Sequence, residues 1–408
     1  MTVTGLITEY NPLHNGHIYH IQKAKEITKA DYIIVVMSGN FIQRGTPAII
    51  NKYERTYHAL LSGADLVIEI PLHFSTGSAE DFSYYALSLL DGLGIVDFIC
   101  FGSECGDIQL LTKIADTLST ESIIFSKHIK EALSSGISYP SAREIAVSKC
   151  TDINSDMISA LHSPNNILGI EYIKAIKHFN SKIKPITIKR EISNYHDENM
   201  RDKISSASAI RKVLYKLENN NLSSLSNSIF SNVPDYVYQS LKEAPFIHLN
   251  DFSDILMYKL KTISKKELSE YSEISSDMAD RILKIVALNN YNFEELIAKV
   301  KTKQYTYSRI TRALIHVILN VKKTEIDNAR KNKYAQYIRI LGFKKNAAPL
   351  LKEIKNNAVL PVISKLTSDN IPALLHSEIL GTDIYNTIVY SKYNIDFKNE
   401  YIRGLVIL

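Results

Sequence analysis

Tyr32-Ile33-Ile34-Val35-Val36-Met37 is an uninterrupted apolar run of strand length, and a strand of that kind is at home only where helices cover both faces of its sheet. Four more segments, Val3–Thr8, Gly63–Pro71, Asp97–Phe101 and Lys184–Arg190, read as strands, and stretches near residues 17–29, 52–62, 77–91, 108–118 and 165–179 carry apolar residues at helical spacing between them. Short β-branched runs alternating with helices are the signature of a parallel sheet with crossover helices. The expected fold is therefore doubly wound α/β. Beyond the polar run Glu218-Asn219-Asn220-Asn221-Leu222-Ser223-Ser224 few β-rich runs occur, and 408 residues suffice for two or three domains. The expected division is an α/β domain over residues 1–217 and a mostly helical one over 218–408.

Composition narrows the setting. Mean hydropathy is −0.08, and no segment approaches the roughly 18 uninterrupted apolar residues of a spanning helix. Met1-Thr2-Val3-Thr4-Gly5 lacks the basic start of a secretory signal, so a cytoplasmic location is expected. Cys100, Cys105 and Cys150 are too few and too unevenly spaced for a disulfide framework or a zinc site, and read as reduced thiols. The formal net charge of +5 is unevenly distributed. Between Lys301 and Lys355 stand fourteen basic and three acidic residues, a local +11 that leaves the rest of the chain near −6. Tyr305, Tyr307, Tyr334 and Tyr337 interleave this stretch. Cations for phosphates beside rings for bases suit a single-stranded RNA loop, while solvated helix faces are the competing reading.

The sharpest motif is His14-Asn15-Gly16-His17, directly after the first strand and opening the first helix. A helix amino terminus offers N–H groups and a positive dipole end to a phosphate, Gly16 admits close approach, and two imidazoles can donate to phosphate oxygens as charge grows on a leaving pyrophosphate. Other strand ends supply company: Gly102-Ser103-Glu104, where a glycine lets a flat ring lie on the backbone; Lys189-Arg190, two cations; and Ile204-Ser205-Ser206-Ala207-Ser208-Ala209-Ile210-Arg211, a serine-rich turn opening a helix. No metal ligand set from protein side chains is expected, because nothing with suitable spacing accompanies the histidines. The remaining histidines stand singly and read as structural.

The order H-x-G-H, then Ser-Ser-x-x-x-Ile-Arg, resembles the nucleotidylyltransferase superfamily. Gly5 to His17, Ser38 to Ala48, Gly63 to Pro71, Phe101 to Glu104, Pro164-Asn165-Asn166-Ile167-Leu168-Gly169 and Arg339-Ile340-Leu341-Gly342-Phe343 are together similar to the bacterial tRNA(Met) cytidine acetate ligase family. The resemblance implies a Rossmann-like catalytic domain followed by a helical tRNA-binding domain. It further implies activation of acetate by ATP to acetyl-adenylate and acetyl transfer to N4 of the wobble cytidine of elongator tRNA(Met); a Mg²⁺ ion is expected to neutralise the leaving pyrophosphate. By position, the nucleotide loop is Ile7, Thr8, Glu9, Tyr10, Asn11, Pro12, Leu13, His14, Asn15, Gly16, His17, Ile18, Tyr19 and His20. Gly102, Asn165 or Asn166, Lys189, Arg190, Ser206 and Arg211 complete the site, His14 and His17 being the catalytic pair. Arg44 and Lys52 fall in matching segments with open roles. Lys322, Lys323, Arg330, Lys331, Lys333, Arg339, Lys344 and Lys345 are the expected tRNA contacts. The rival readings are an adenylyltransferase for a small phosphorylated cofactor and a non-catalytic, ATP-binding tRNA module.

Overall fold

A computed structural model describes residues 1–119, 123–137, 141–142, 145–146, 149, 155–190, 206–216, 227–367 and 371–408. The expected strands all form: β1 (Val3–Thr8), β2 (Tyr32–Ser38), β3 (Leu66–Ile70), β4 (Phe98–Ser103) and β5 (Lys184–Lys189). They lie parallel in the order β5-β4-β1-β2-β3. Side chains of β2 alternate as a doubly covered strand must: Ile34 and Val36 join one buried cluster, Ile33, Val35 and Met37 the other. The order reverses between β1 and β4. Helix α1 (Asn15–Thr28) after β1 and the helix Ile108–Ser119 after β4 feed opposite directions, and a crevice opens beyond the carboxyl ends of those two strands.

The C-terminal half is mostly helical, as expected, but it also returns to the sheet. β6 (Ile338–Phe343) pairs antiparallel with β3, and β7 (Val362–Ile363) and β8 (Val406–Ile407) both pair with β6. β6 did not read as a strand because Arg339 and Gly342 interrupt its apolar pattern. Gly342 is required there, since a Cβ would come within 2.5 Å of the Val406 carbonyl oxygen. One buried cluster contains Ile34, Ile68, Leu314, Ile338 and Leu374, so both halves share a core. The proposed boundary at 217/218 and the polar run after it lie outside the described residues. No helix among the described residues is long and apolar enough to cross a membrane.

A buried knot of charge fastens the halves together. Lys52, at the start of α2 (Lys52–Leu61), places its Nζ 2.8 Å from Glu69 of β3, 3.4 Å from Glu378 of the helix Ala373–Tyr393 and 3.3 Å from Glu400. Arg339 stands 3.8 Å from Glu400, and the Tyr53 hydroxyl donates to Glu400 at 2.9 Å. Burial alone would depress the Lys52 pKa, but Glu400, Glu69 and Glu378 hold it well above the ordinary lysine value. Burial, with Glu378 nearby, pushes the Glu69 carboxyl up to about 8.

Candidate active site at the crevice between the first and fourth strands

The crevice is a cavity of about 500 Å³. His14 caps α1: its Nδ1 accepts the Gly16 N–H at 3.1 Å, while His17 Nδ1 accepts the His14 N–H at 3.2 Å. Two backbone donors expected to face a phosphate are thus taken by the histidines themselves. With each Nδ1 accepting, each ring carries its proton on Nε2, and the stacked imidazoles, 3.7 Å between centroids, present N–H groups to the cavity. The Tyr10 ring meets His17 edge-on at 4.9 Å. Tyr10 itself is fully buried with φ +47, a left-handed backbone that costs about 1–3 kcal/mol and persists because its surroundings fix it.

Beneath them the completely buried Arg55 donates to the carbonyls of Glu9 at 2.7 Å, Ser38 at 3.0 Å and Ile50 at 3.2 Å, and to that of Gly39. One guanidinium therefore ties together the ends of β1 and β2, which set the height of the histidines.

Three arginines, Arg44, Arg190 and Arg211, and Lys189 also line the cavity. Burial holds the His14 pKa down at about 3, with Arg190 and Arg211 pushing the same way. Burial, then His14 and Arg190, keeps His17 well below the ordinary value, and burial lowers His20 to about 4. Both motif histidines are thus neutral donors at physiological pH. In the unfolded chain His14 takes up its proton as the pH falls through 6.5, in the folded protein only near 3, so stability is lost as the pH drops across that window. The midpoint of thermal unfolding is expected to fall between pH 6.5 and 4, and less steeply in His14→Asn; an equal slope in both proteins would contradict the burial of a neutral His14. Among buried polar atoms, Asn11 Nδ2 and His20 Nε2 have no hydrogen-bond partner among the described residues, and both residues line the cavity.

On the opposite wall, Glu104 after β4 caps the helix Pro164–His178: Oε1 accepts from Asn165 N at 3.3 Å and Asn165 Nδ2 at 2.7 Å, Oε2 from Asn166 N at 2.9 Å. Asn166 replies, its Oδ1 accepting the Glu104 N–H at 2.9 Å and the Cys105 N–H at 3.2 Å, its Nδ2 donating to the Ala160 carbonyl at 3.1 Å. Only Asn165 of the pair lines the cavity. Asn166→Ala leaves two backbone donors unpaired and is expected to cost about 2 kcal/mol or more of stability. Asn165→Ala removes one side-chain hydrogen bond to Glu104 but leaves the backbone caps, so it is expected to cost less stability and to raise the KM for the expected nucleotide. Chemical denaturation and initial rates separate the two, and the reverse assignment of effects would contradict it. An added Cβ at Gly102 would meet Arg190 Cγ at 3.2 Å, so this glycine lets the arginine lie across the strand end.

Of the residues expected at the nucleotide, Ile7, Thr8, Glu9, Tyr10, Asn11, His14, Gly16, His17, Tyr19, His20, Gly102, Asn165, Lys189, Arg190, Ser206 and Arg211 line this one cavity. Pro12, Leu13, Asn15, Ile18 and Asn166 do not; Leu13 is a core residue and Asn15 Nδ2 donates to the Ser231 carbonyl at 2.9 Å. Ser205 lies outside the described residues. Arg44 lines the cavity, and Lys52 belongs to the buried knot instead. Sequence reasoning missed Phe82, Tyr172, Ile188 and Gln43, which also line it. The first three sit in apolar patterns that read as core, and nothing marks them as ligand-facing. Among the described residues no group of His, Cys, Asp and Glu is arranged to hold a metal ion.

The expected tRNA cations are dispersed. Arg339 is buried beside Glu400, and Arg330 makes a two-pronged pair with Asp81, at 2.9 and 2.8 Å. Lys323 Nζ donates to the carbonyls of Ser269 and Ile274, both at 2.6 Å, and Lys322 lies over the Tyr271 ring at 3.7 Å. Lys331, Lys333 and Lys345 are exposed, and Lys344 is half-buried. Of the four interleaved tyrosines, Tyr305, Tyr334 and Tyr337 are buried and Tyr307 alone is exposed.

The profile of the HIGH Nucleotidyl Transferase family matches residues 1–400. A Thermoanaerobacter sp. protein named tRNA(Met) cytidine acetate ligase is 42% identical, over 99% of this chain and 98% of its own length. A Clostridium perfringens protein of the same name is 41% identical, over 97% and 98%. The crystal structure of Thermotoga maritima TmcAL bound with alpha-thio ATP superimposes with a TM-score of 0.89 at 29% identity, covering 100% of both chains.

Proposed function

The chain belongs to the HIGH nucleotidyl transferase family and, within it, to the tRNA(Met) cytidine acetate ligases, and from that membership we infer an ATP-dependent ligase that acetylates the wobble cytidine of elongator tRNA(Met) at N4. The observation that carries this reading is the pair of neutral, stacked imidazoles at the helix amino terminus, flanked by three guanidiniums, in a fold that in Thermotoga maritima TmcAL holds an ATP analogue.

An acetate oxygen attacks the α-phosphorus of ATP, the bond to the β-phosphate oxygen breaks, and pyrophosphate leaves with the electron pair. His14 and His17 donate Nε2–H hydrogen bonds to the oxygens on which charge grows, and Arg190, Arg211 and Lys189 screen the polyphosphate. The half-buried cavity lowers the dielectric around these donors and strengthens each of them. Mg²⁺, as the counter-ion of ATP, would supply charge neutralisation at the polyphosphate, and among the described residues no group of His, Cys, Asp and Glu is arranged to hold it. The amine N4 of cytidine then attacks the acetyl carbonyl, AMP departs, and the nitrogen loses a proton. A weakly nucleophilic exocyclic amine needs so activated an acyl donor. No side-chain nucleophile is required in either step.

The test is incubation with ATP, radiolabelled acetate and bulk bacterial tRNA, followed by nucleoside analysis. Label in N4-acetylcytidine is the expected result. Absence of that nucleoside, under conditions where ATP binds, would contradict the proposed function.

A further inference from the structure

Among the described residues, a cationic surface with three exposed lysines lies close to the catalytic cavity. Between Lys299 and Arg312 the chain carries Lys299, Lys301, Lys303, Arg309 and Arg312 and no acid. This segment is the end of the helix Phe293–Val300, a loop, and the first turns of the helix Tyr307–Leu319. Lys299, Lys301 and Lys303 are exposed. Tyr307, in the first helical turn, has 44% of its surface in water. Thr306 caps that helix, its side chain accepting the Arg309 N–H at 3.4 Å, so the positive end of the helix dipole directly follows the loop that carries Lys301 and Lys303.

The segment abuts the catalytic cavity through one glycine. Gly45 follows the cavity-lining Arg44 and has φ +75; a Cβ there would stand 2.6 Å from both Cα and N of Arg312. The loop carrying Arg44 and the helix carrying Tyr307 are therefore in backbone contact. Tyr307 lies five residues before Arg312, about 7.5 Å along the helix axis. The nearby acids are engaged: Glu273 takes Arg312 at 2.7 Å and Arg309 at 3.4 Å, and Glu294 accepts from Asn250 at 2.8 Å. Arg309 also lies over the Tyr305 ring at 5.4 Å.

We propose that this surface, Lys299, Lys301, Lys303 and Tyr307, grips the single-stranded RNA loop whose base enters the cavity, the lysines on phosphates and the Tyr307 ring stacked on a flanking base. Exposed ammonium groups supply sequence-independent attraction, and an exposed ring beside them supplies a π-face that any base can use. The surface replaces the stretch from Lys322 to Lys345 as the principal RNA contact. It rests on the proposed RNA substrate.

Binding of fluorescently labelled bulk bacterial tRNA by the full-length protein tests it, alongside acetate-dependent exchange of pyrophosphate into ATP without RNA. Lys301→Glu/Lys303→Glu is expected to weaken tRNA binding at least 10-fold and to flatten the slope of log affinity against log salt by about 1.4, two single-strand phosphate contacts at about 0.7 each. Tyr307→Ala is expected to weaken binding about 10-fold, and Tyr307→Phe to restore it, because stacking needs the ring and not the hydroxyl. The exchange rate stays at the wild-type value in all three variants. Wild-type tRNA affinity and salt slope in both the double variant and Tyr307→Ala would overturn the proposal. A wild-type protein that performs the exchange yet neither binds nor acetylates tRNA would instead overturn the RNA substrate, and a wild-type protein without exchange would overturn the acyl-adenylate chemistry.

Discussion

Replacing His14 by Asn, or His17 by Gln, is expected to slow acetate-dependent pyrophosphate exchange by about 10²–10³-fold each while leaving the folded protein nearly as stable as before. The choice of substitution matters because each histidine has two roles on two ring atoms. Nδ1 of His14 accepts the Gly16 N–H and Nδ1 of His17 accepts the His14 N–H, a reciprocal cap of α1. Alanine at position 14 removes that cap as well as the donor, and a lost cap alone costs about 1 kcal/mol. Asn at the cap and Gln three residues later retain an acceptor for the backbone, as in an ordinary capping box, but carry no ring N–H at the Nε2 position. Both imidazoles are neutral, so the lost interaction is a hydrogen bond to developing charge and not an ion pair. The KM for ATP should change less than the turnover, because the donors act most strongly on charge that appears as pyrophosphate leaves. Stability is read by denaturant unfolding and chemistry by exchange in the same preparations. Near wild-type exchange in both variants would remove the histidines from the mechanism.

Lys52→Met is expected to be the most destabilising single change outside the cavity, by about 3–5 kcal/mol at neutral pH, because it strands carboxylates that have no access to water. Glu69, Glu378 and Glu400 all lie within 3.4 Å of the Lys52 ammonium, and their side chains are at most 3% exposed. The pH dependence identifies the cause. The Glu69 pKa already stands near 8, so the folded state holds a proton there that the unfolded chain releases above 4.5, and stability from this group falls as the pH rises across that interval. Lys52 pulls the Glu69 value down, so without the lysine that carboxyl rises further. The deficit of Lys52→Met relative to wild type should then shrink as the pH is lowered from 8 to 5, the reverse of the trend that the buried histidines impose. A deficit independent of pH would show that Lys52 acts through packing alone. The cluster joins α2 and β3 to β6, the helix Ala373–Tyr393 and Glu400, so its loss should loosen the union of the two halves of the chain and not the histidine pair.

The parts of this protein legible from sequence are those that local pattern dictates. β2 announced itself because a strand covered on both faces is apolar at nearly every position, as Ile33 to Met37 are, and the other four by short β-branched runs between helical stretches. His14 and His17 announced themselves because their spacing and the strand before them have one ready physical use. What escaped was set by partners distant in the chain. β6 hides behind Arg339, whose charge is tolerable only because Glu400 folds back against it. The cations from Lys322 to Lys345 look like one patch on paper, yet Arg330 turns to Asp81 and Lys323 to two carbonyls, and neither partner is near in sequence. Asn165 and Asn166 are indistinguishable as letters, and the direction of the helix start decides which faces the cavity and which clamps Glu104. Phe82 and Tyr172 lie in helical stripes that cannot be told from core until the crevice is seen.

Acyl-adenylate formation at the crevice between β1 and β4 is the central step, and its most direct measurement is exchange of radiolabelled pyrophosphate into ATP with acetate present and RNA absent. Label should enter ATP only when acetate is added, and the rate should collapse in His14→Asn. A protein that binds ATP but shows no acetate-dependent exchange, or the same exchange without His14, would contradict it.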